Sequence, residues 1–156
     1  MLLRRSTTPV TRVVVGVDGS AAAVAALLWA AAEASQRQAG LRIVSVWEEP
    51  AQPGTSRADD PARAAARLVE GALARVLSQR HYPRRIACAA VRGTPGQALL
   101  GQARDTGLLV LGAASNCADH LPGSTGTYCL RHGRGPLVFV PAGPGDDIAG
   151  RAAEPA

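Results

Sequence analysis

The chain has 156 residues, 47% of them hydrophobic, with 17 basic against 12 acidic side chains and a formal net charge of +5. At about 150 residues per domain this is one domain around one core, which excludes a separate substrate lobe. Every basic residue is Arg, so the lysine of a Walker A loop, a Schiff base or a pyridoxal enzyme does not exist, and 5 aromatics against 31 alanines make no platform for stacking nucleobases.

Met1 to Pro9 carries arginines without an apolar stretch, so it reads as a flexible N-terminus and not as a secretory signal. Val13-Val14-Val15-Gly16-Val17 is a β-branched run suited to a strand buried on both faces. Asp18-Gly19-Ser20 follows as a turn whose serine can cap a helix. That helix, Ser20 to Gln38, places Val24, Leu27, Leu28 and Ala31 on one side. Its apolar run, Ala21 to Ala32, is 12 residues and too short for a bilayer, so no membrane partner is expected. Gly40 is the expected stop, and Leu41 to Trp47 the second strand. Glu48 to Asp60 holds Pro50, Pro53, Gly54 and Ser56 and is a loop. Asp60-Pro61 opens a second helix with Ala65, Leu68, Val69, Ala72 and Val76 on one face. Arg85 to Val91 is the third strand, Thr94-Pro95 a cap and first-turn pair, and Ala98, Leu99 and Ala103 the apolar face of a third helix. Leu108 to Leu111 is entirely apolar and hence a central strand. Gly112 to Pro122 is loop, Gly123 to His132 a short helix, and Leu137 to Val140 the fifth strand. Residues 142–156 read as a disordered tail, leaving 10–141 as the folded domain.

Strands alternating with helices five times imply a single α/β domain, a parallel sheet with right-handed crossovers and helices on both faces. Such a sheet binds ligands beyond the carboxyl ends of its strands, where the strand order reverses. No G-x-G-x-x-G follows the first strand, so a standard dinucleotide role is excluded. Asp18 ends a buried strand, where a lone carboxylate is costly unless a ligand or nearby backbone amides hydrogen-bond it; an Asx-type turn capping the helix is the plainer alternative. Gly112-Ala113-Ala114-Ser115 followed by Gly123-Ser124-Thr125 at a helix start suits a phosphate, through exposed amides and a positive dipole end, or is simply a loop before a capped helix.

The set formed by VVVGVDGS, the second strand LRIVSVW, Gly93-Thr94-Pro95, LLVLG, the later Gly-Ser and Pro136-Leu137-Val138-Phe139-Val140 resembles the universal stress protein family, particularly its actinobacterial members. The resemblance covers about residues 10 to 141. It implies a five-stranded parallel sheet of order 3-2-1-4-5, Rossmann-like and adenine nucleotide alpha hydrolase-like. It also implies a regulatory homodimer paired through the last strand, Leu137 to Val140, with an ATP or AMP site and Mg2+ where the ligand is a triphosphate. On that resemblance Asp18 contacts the adenosine, Gly16 and Val17 line it, and Val46 offers backbone to the adenine. Gly112, Ser124 and Thr125 hold ribose and phosphates. The nucleotide-binding members carry G-x2-G-x9-G before Ser or Thr; here the three glycine positions are Gly112, Ser115 and Gly123, and the stretch from Asn116 to Pro122 is two residues short. A family member that has lost the nucleotide and acts through a protein partner is the alternative.

Cys117-x2-His120 and Cys129-x2-His132 have zinc-ligand residue types, but Cys129 and His132 fall on a short helix whose apolar face should be core, so Cys129 reads as a small buried hydrophobe and no metal is assigned. No nucleophile elbow is present, and no catalytic residue or enzymatic role is assigned. Trp29 and Trp47 read as core or sheet-end packing. The arginines are scattered along the chain, Arg80, Arg84 and Arg85 reading as a solvated helix end, so no nucleic-acid partner is expected. Three cysteines make no disulfide framework, consistent with a reduced, cytoplasmic protein.

Overall fold

The structure, a computed structural model, describes residues 10–52, 60–105, 107–113 and 124–143. The elements run in strict alternation: β1 (Arg12–Gly16), α1 (Ala21–Arg37), β2 (Gly40–Trp47), α2 (Pro61–Leu77), β3 (Ile86–Arg92), α3 (Pro95–Gln102), β4 (Gly107–Gly112), α4 (Ser124–His132) and β5 (Leu137–Val140). The five strands form one parallel sheet of order β3-β2-β1-β4-β5, as the resemblance implies.

Alternation along each strand divides the core into two. Val13, Val15, Leu41, Ile43, Leu108 and Val110 point to one face and meet α1 and α2. Val14, Val44, Leu109 and Leu111 point to the other and meet Leu99 of α3 and Cys129 of α4. The unbroken apolar runs of β1 and β4 are what burial on both faces requires.

Helix α1 covers its face mostly with alanine: Ala22, Ala23, Ala26, Ala30, Ala31 and Ala34 are buried beside Leu27. Alanine gives up no side-chain entropy and lets a helix axis approach the sheet closely. This shifts the buried arc from the one read in the sequence. Val24 and Leu28 flank it and are half-buried, and Trp29, read as core or sheet-end packing, is 37% exposed. The stop also moves. Gln38 takes the left-handed conformation (φ 54°) and closes α1 through its backbone N–H, whereas Gly40 is the first residue of β2 and bonds Thr11 O.

Helix α2 starts where Asp60 accepts a hydrogen bond from Ala62 N at 3.0 Å, with Pro61 in the first turn, and buries Ala65, Val69, Ala72 and Val76. Thr94 caps α3 by position alone, without a side-chain bond. Among the described residues no helix is long and apolar enough to cross a membrane.

Candidate functional site

Each helix leaves the carboxyl end of a strand and returns to the amino end of the next, so every helix N-terminus lies at the carboxyl edge of the sheet. At that edge the strands stop at different heights. The β1–β4 pairing ends at Val15 with Val110, while β4 continues to Gly112 beside Val140 of β5, and Ala113 N bonds Val140 O at 2.7 Å. On the other side β1 pairs as far as Gly16 with Val44, and Val17 N reaches Val44 O at 2.8 Å; β2 then runs on to Trp47 with only β3 beside it. The chain leaves β1 for β2 across one face and reaches β4 across the other, so the switch point of the sheet, where such sheets hold ligands in a crevice, lies beyond the end of β1.

The residues named from sequence meet this crevice in different ways. Asp18 is exposed rather than trapped at the end of a buried strand. Its Oδ1 accepts from Ser20 N at 2.9 Å and from Ser20 Oγ at 2.6 Å, and Ser20 Oγ in turn accepts from Ala23 N at 3.1 Å. This is the Asx-type turn and helix cap in one unit. Both bonds fall on Oδ1, so among the described residues Oδ2 remains open. Gly19 makes the turn possible with φ +84°, and a Cβ there would also press on Leu68 of α2 at 3.2 Å.

Val17 is 8% exposed and packs on the α1–α2 side, so only its backbone can face a ligand. The side chain of Val46 likewise packs toward Val44 and Leu99, leaving the backbone of β2 beyond the end of β1. At Gly16 a Cβ would meet Leu99 and Leu111 side chains at 3.2 Å. Gly112 is more tightly constrained. A Cβ there would lie 2.6 Å from the carbonyl carbon of Ala22 and 2.8 Å from Ala23 N, both backbone of the first turn of α1. The glycine is therefore required by helix packing, whatever its amide does.

Ser124, exposed, and Thr125, half-buried, open α4, which has no acidic residue in its first turn to answer the N-terminal dipole. Ser115 and Gly123, with Cys117, Asp119 and His120 between them, lie outside the described residues. Cys129 is 1% exposed, its thiol directed at Gly96 O (3.9 Å), and burial pushes its pKa up, as it does for Cys88. His132 ends α4 with its ring 4.4 Å from that of Tyr128.

The sequence reading did not single out two features. Arg92, at the end of β3, pairs with Glu49 and lies 6.0 Å from the ring centroid of Trp47; the β2–β3 register, Trp47 opposite Arg92, is what joins them. Gly96 receives the ring of Tyr128, so α3 and α4 dock through a missing side chain.

The universal stress protein family profile matches residues 9–141. A universal stress protein of Mycobacterium tuberculosis is 33% identical over 119 residues, which are 76% of this chain and 43% of that protein, so the chain spans under half the length of this curated relative. Among solved structures, a universal stress protein in complex with cAMP has a TM-score of 0.68 and 25% identity, covering 85% of this chain and 98% of that one. UspA from Lactobacillus plantarum has a TM-score of 0.64 and 22% identity over 85% of this chain and 98% of its own. With the strand order, the curated relative and a profile match over nearly all described residues in agreement, the chain belongs to the universal stress protein family.

Proposed function

We propose that the chain is a cytoplasmic regulatory protein, not a catalyst, that holds an adenine nucleotide, ATP or AMP, beyond the carboxyl end of β1. The observation that carries this is the staggered ending of the strands: β2 and β4 outrun β1 and leave backbone at Val46, Gly16 and Gly112 around one crevice. The first turns of α1 and α4 add amide hydrogens and positive dipole ends suited to phosphate. The solved relative in complex with cAMP supports the choice of an adenine ligand. Where the ligand is a triphosphate, Mg2+, a hard cation that takes oxygen ligands, would accompany it, and the open Oδ2 of Asp18 is the acceptor offered to the adenosine. The strand β5, an edge with four half-buried residues from Leu137 to Val140, is the surface for pairing with a second copy.

Calorimetric titration of ATP and AMP against the wild type and Asp18→Ala tests the nucleotide reading. The expected result is saturable binding that weakens by about tenfold in the variant. No heat from millimolar ATP with folded protein would overturn it. The sequence favours one other reading in that case: with Ser115 at a glycine position and a loop two residues short, the fold would act through a protein partner instead.

A further inference from the structure

The arginines that lie scattered in the sequence do not stay scattered. Parallel pairing aligns the starts of β1, β2 and β3, with Arg12 opposite Gly40, Leu41 opposite Ile86 and Arg42 opposite Ala87. At this amino-terminal edge Arg12, Arg42, Arg84 and Arg85 line one open cavity of about 460 Å³, and among the described residues no acidic side chain lines it. We propose that this cavity is a second ligand site, for a small molecule carrying two or more phosphate groups.

Several observations support the assignment. Elsewhere the chain pairs its arginines where carboxylates are at hand, as in Arg37 with Glu33, Arg63 with Asp60 and Arg92 with Glu49. In the cavity, among the described residues, no guanidinium has a carboxylate partner. Among the described residues Arg12 donates only to Gln102 O, at 3.4 Å. Arg42 Nε is shut off from water and has no hydrogen-bond partner, an expensive state for a donor on a permanently charged group. Four like charges around one recess repel one another, and an anion with several charges removes that repulsion. Guanidinium forks match phosphate oxygens in pairs, and the volume lies in the range of small-molecule sites. The recess is a local pocket without an aromatic side chain among its lining residues, unlike the long basic groove with stacking rings that single-stranded nucleic acid prefers.

This site is independent of the nucleotide crevice, because the five residues of β1, at about 3.3 Å each, separate the two ends of the sheet. Inorganic tripolyphosphate is the probe. In a heteronuclear NMR titration of the full chain, the Nε–Hε signals of Arg12, Arg84 and Arg85 and the amide of Gly40 should shift together and saturate. Arg84→Ala/Arg85→Ala, which changes only exposed side chains, should weaken the calorimetric affinity by about tenfold or more, while Asp18→Ala leaves it unchanged. Shifts confined to Gly16 and Gly112, or equal affinity in the double arginine variant, would overturn the proposal. So would sulfate producing the same shifts at matched ionic strength, or duplex DNA displacing the probe at equal phosphate concentration in physiological salt, the latter marking the edge as a nucleic-acid surface.

Discussion

Replacing Gly112 by Ala separates the two reasons for having a glycine at the end of β4. The added methyl would stand 2.6 Å from the carbonyl carbon of Ala22, 2.8 Å from its oxygen and 2.8 Å from Ala23 N. None of these atoms can rotate away, because all belong to the backbone of the first turn of α1. Restoring ordinary contact at 3.4 Å or more takes about 0.8 Å of movement by α1 or by the end of β4. Overpacking of this kind costs about 1–3 kcal/mol. Urea unfolding followed by circular dichroism should show a lower midpoint with an unchanged slope, and the thermal midpoint should fall by about 2–4 °C for each kcal/mol lost. Gly71→Ala is the matched control. It lies in the exposed part of α2 with nothing within 4 Å of its Cβ position, so the same change should stabilise by about 0.5–1 kcal/mol. If Gly112→Ala unfolds at the wild-type midpoint while Gly71→Ala shows its gain, the close approach of α1 is not what fixes this residue, and the packing account fails.

Ser20→Ala removes the cap on Ala23 N and one of the two bonds to Asp18, and should lower stability by about 1 kcal/mol in the same urea assay. Gln38→Gly relieves a non-glycine residue held at φ 54° and should raise the urea midpoint, with a gain of about 0.5–1 kcal/mol. For Cys129 the pH dependence has a definite sign. Burial raises its pKa, so the unfolded thiol ionises first; stability from this group is intact below the ordinary thiol range and falls as pH rises past about 9. Urea midpoints at pH 8 and pH 10 should therefore drop further for wild type than for Cys129→Ala, and an equal drop would assign the slope to other groups.

The element order and the central place of β1 and β4 were readable because the apolar runs Val13 to Val17 and Leu108 to Leu111 suit doubly covered parallel strands, whereas the strand order came from the family resemblance. What sequence periodicity missed came from contacts between elements. The arc of α1 depends on how closely an alanine face approaches the sheet, so Val24 and Leu28 moved to its edge. Gly112 looked like a phosphate-loop glycine, yet its backbone neighbour is a helix ninety residues earlier, a contact no local pattern contains. Asp18 was legible as either a ligand contact or an Asx turn, and the bonds to Ser20 show the turn while leaving Oδ2 open.

The gathering of arginines also has an explanation that covers only part of it. Parallel topology sends helix C-termini to the amino edge of the sheet, where the dipole end is negative and basic side chains are favoured. Arg37 in the last turn of α1, Arg75 in that of α2 and Arg131 in that of α4 are accounted for in this way. Arg12 and Arg42 sit on strands, and Arg84 and Arg85 on the segment leading into β3, so none of the four lies in a helix whose last turn it could neutralise. Their position follows from strand register alone, and register would bring hydrophobic or neutral residues together as readily.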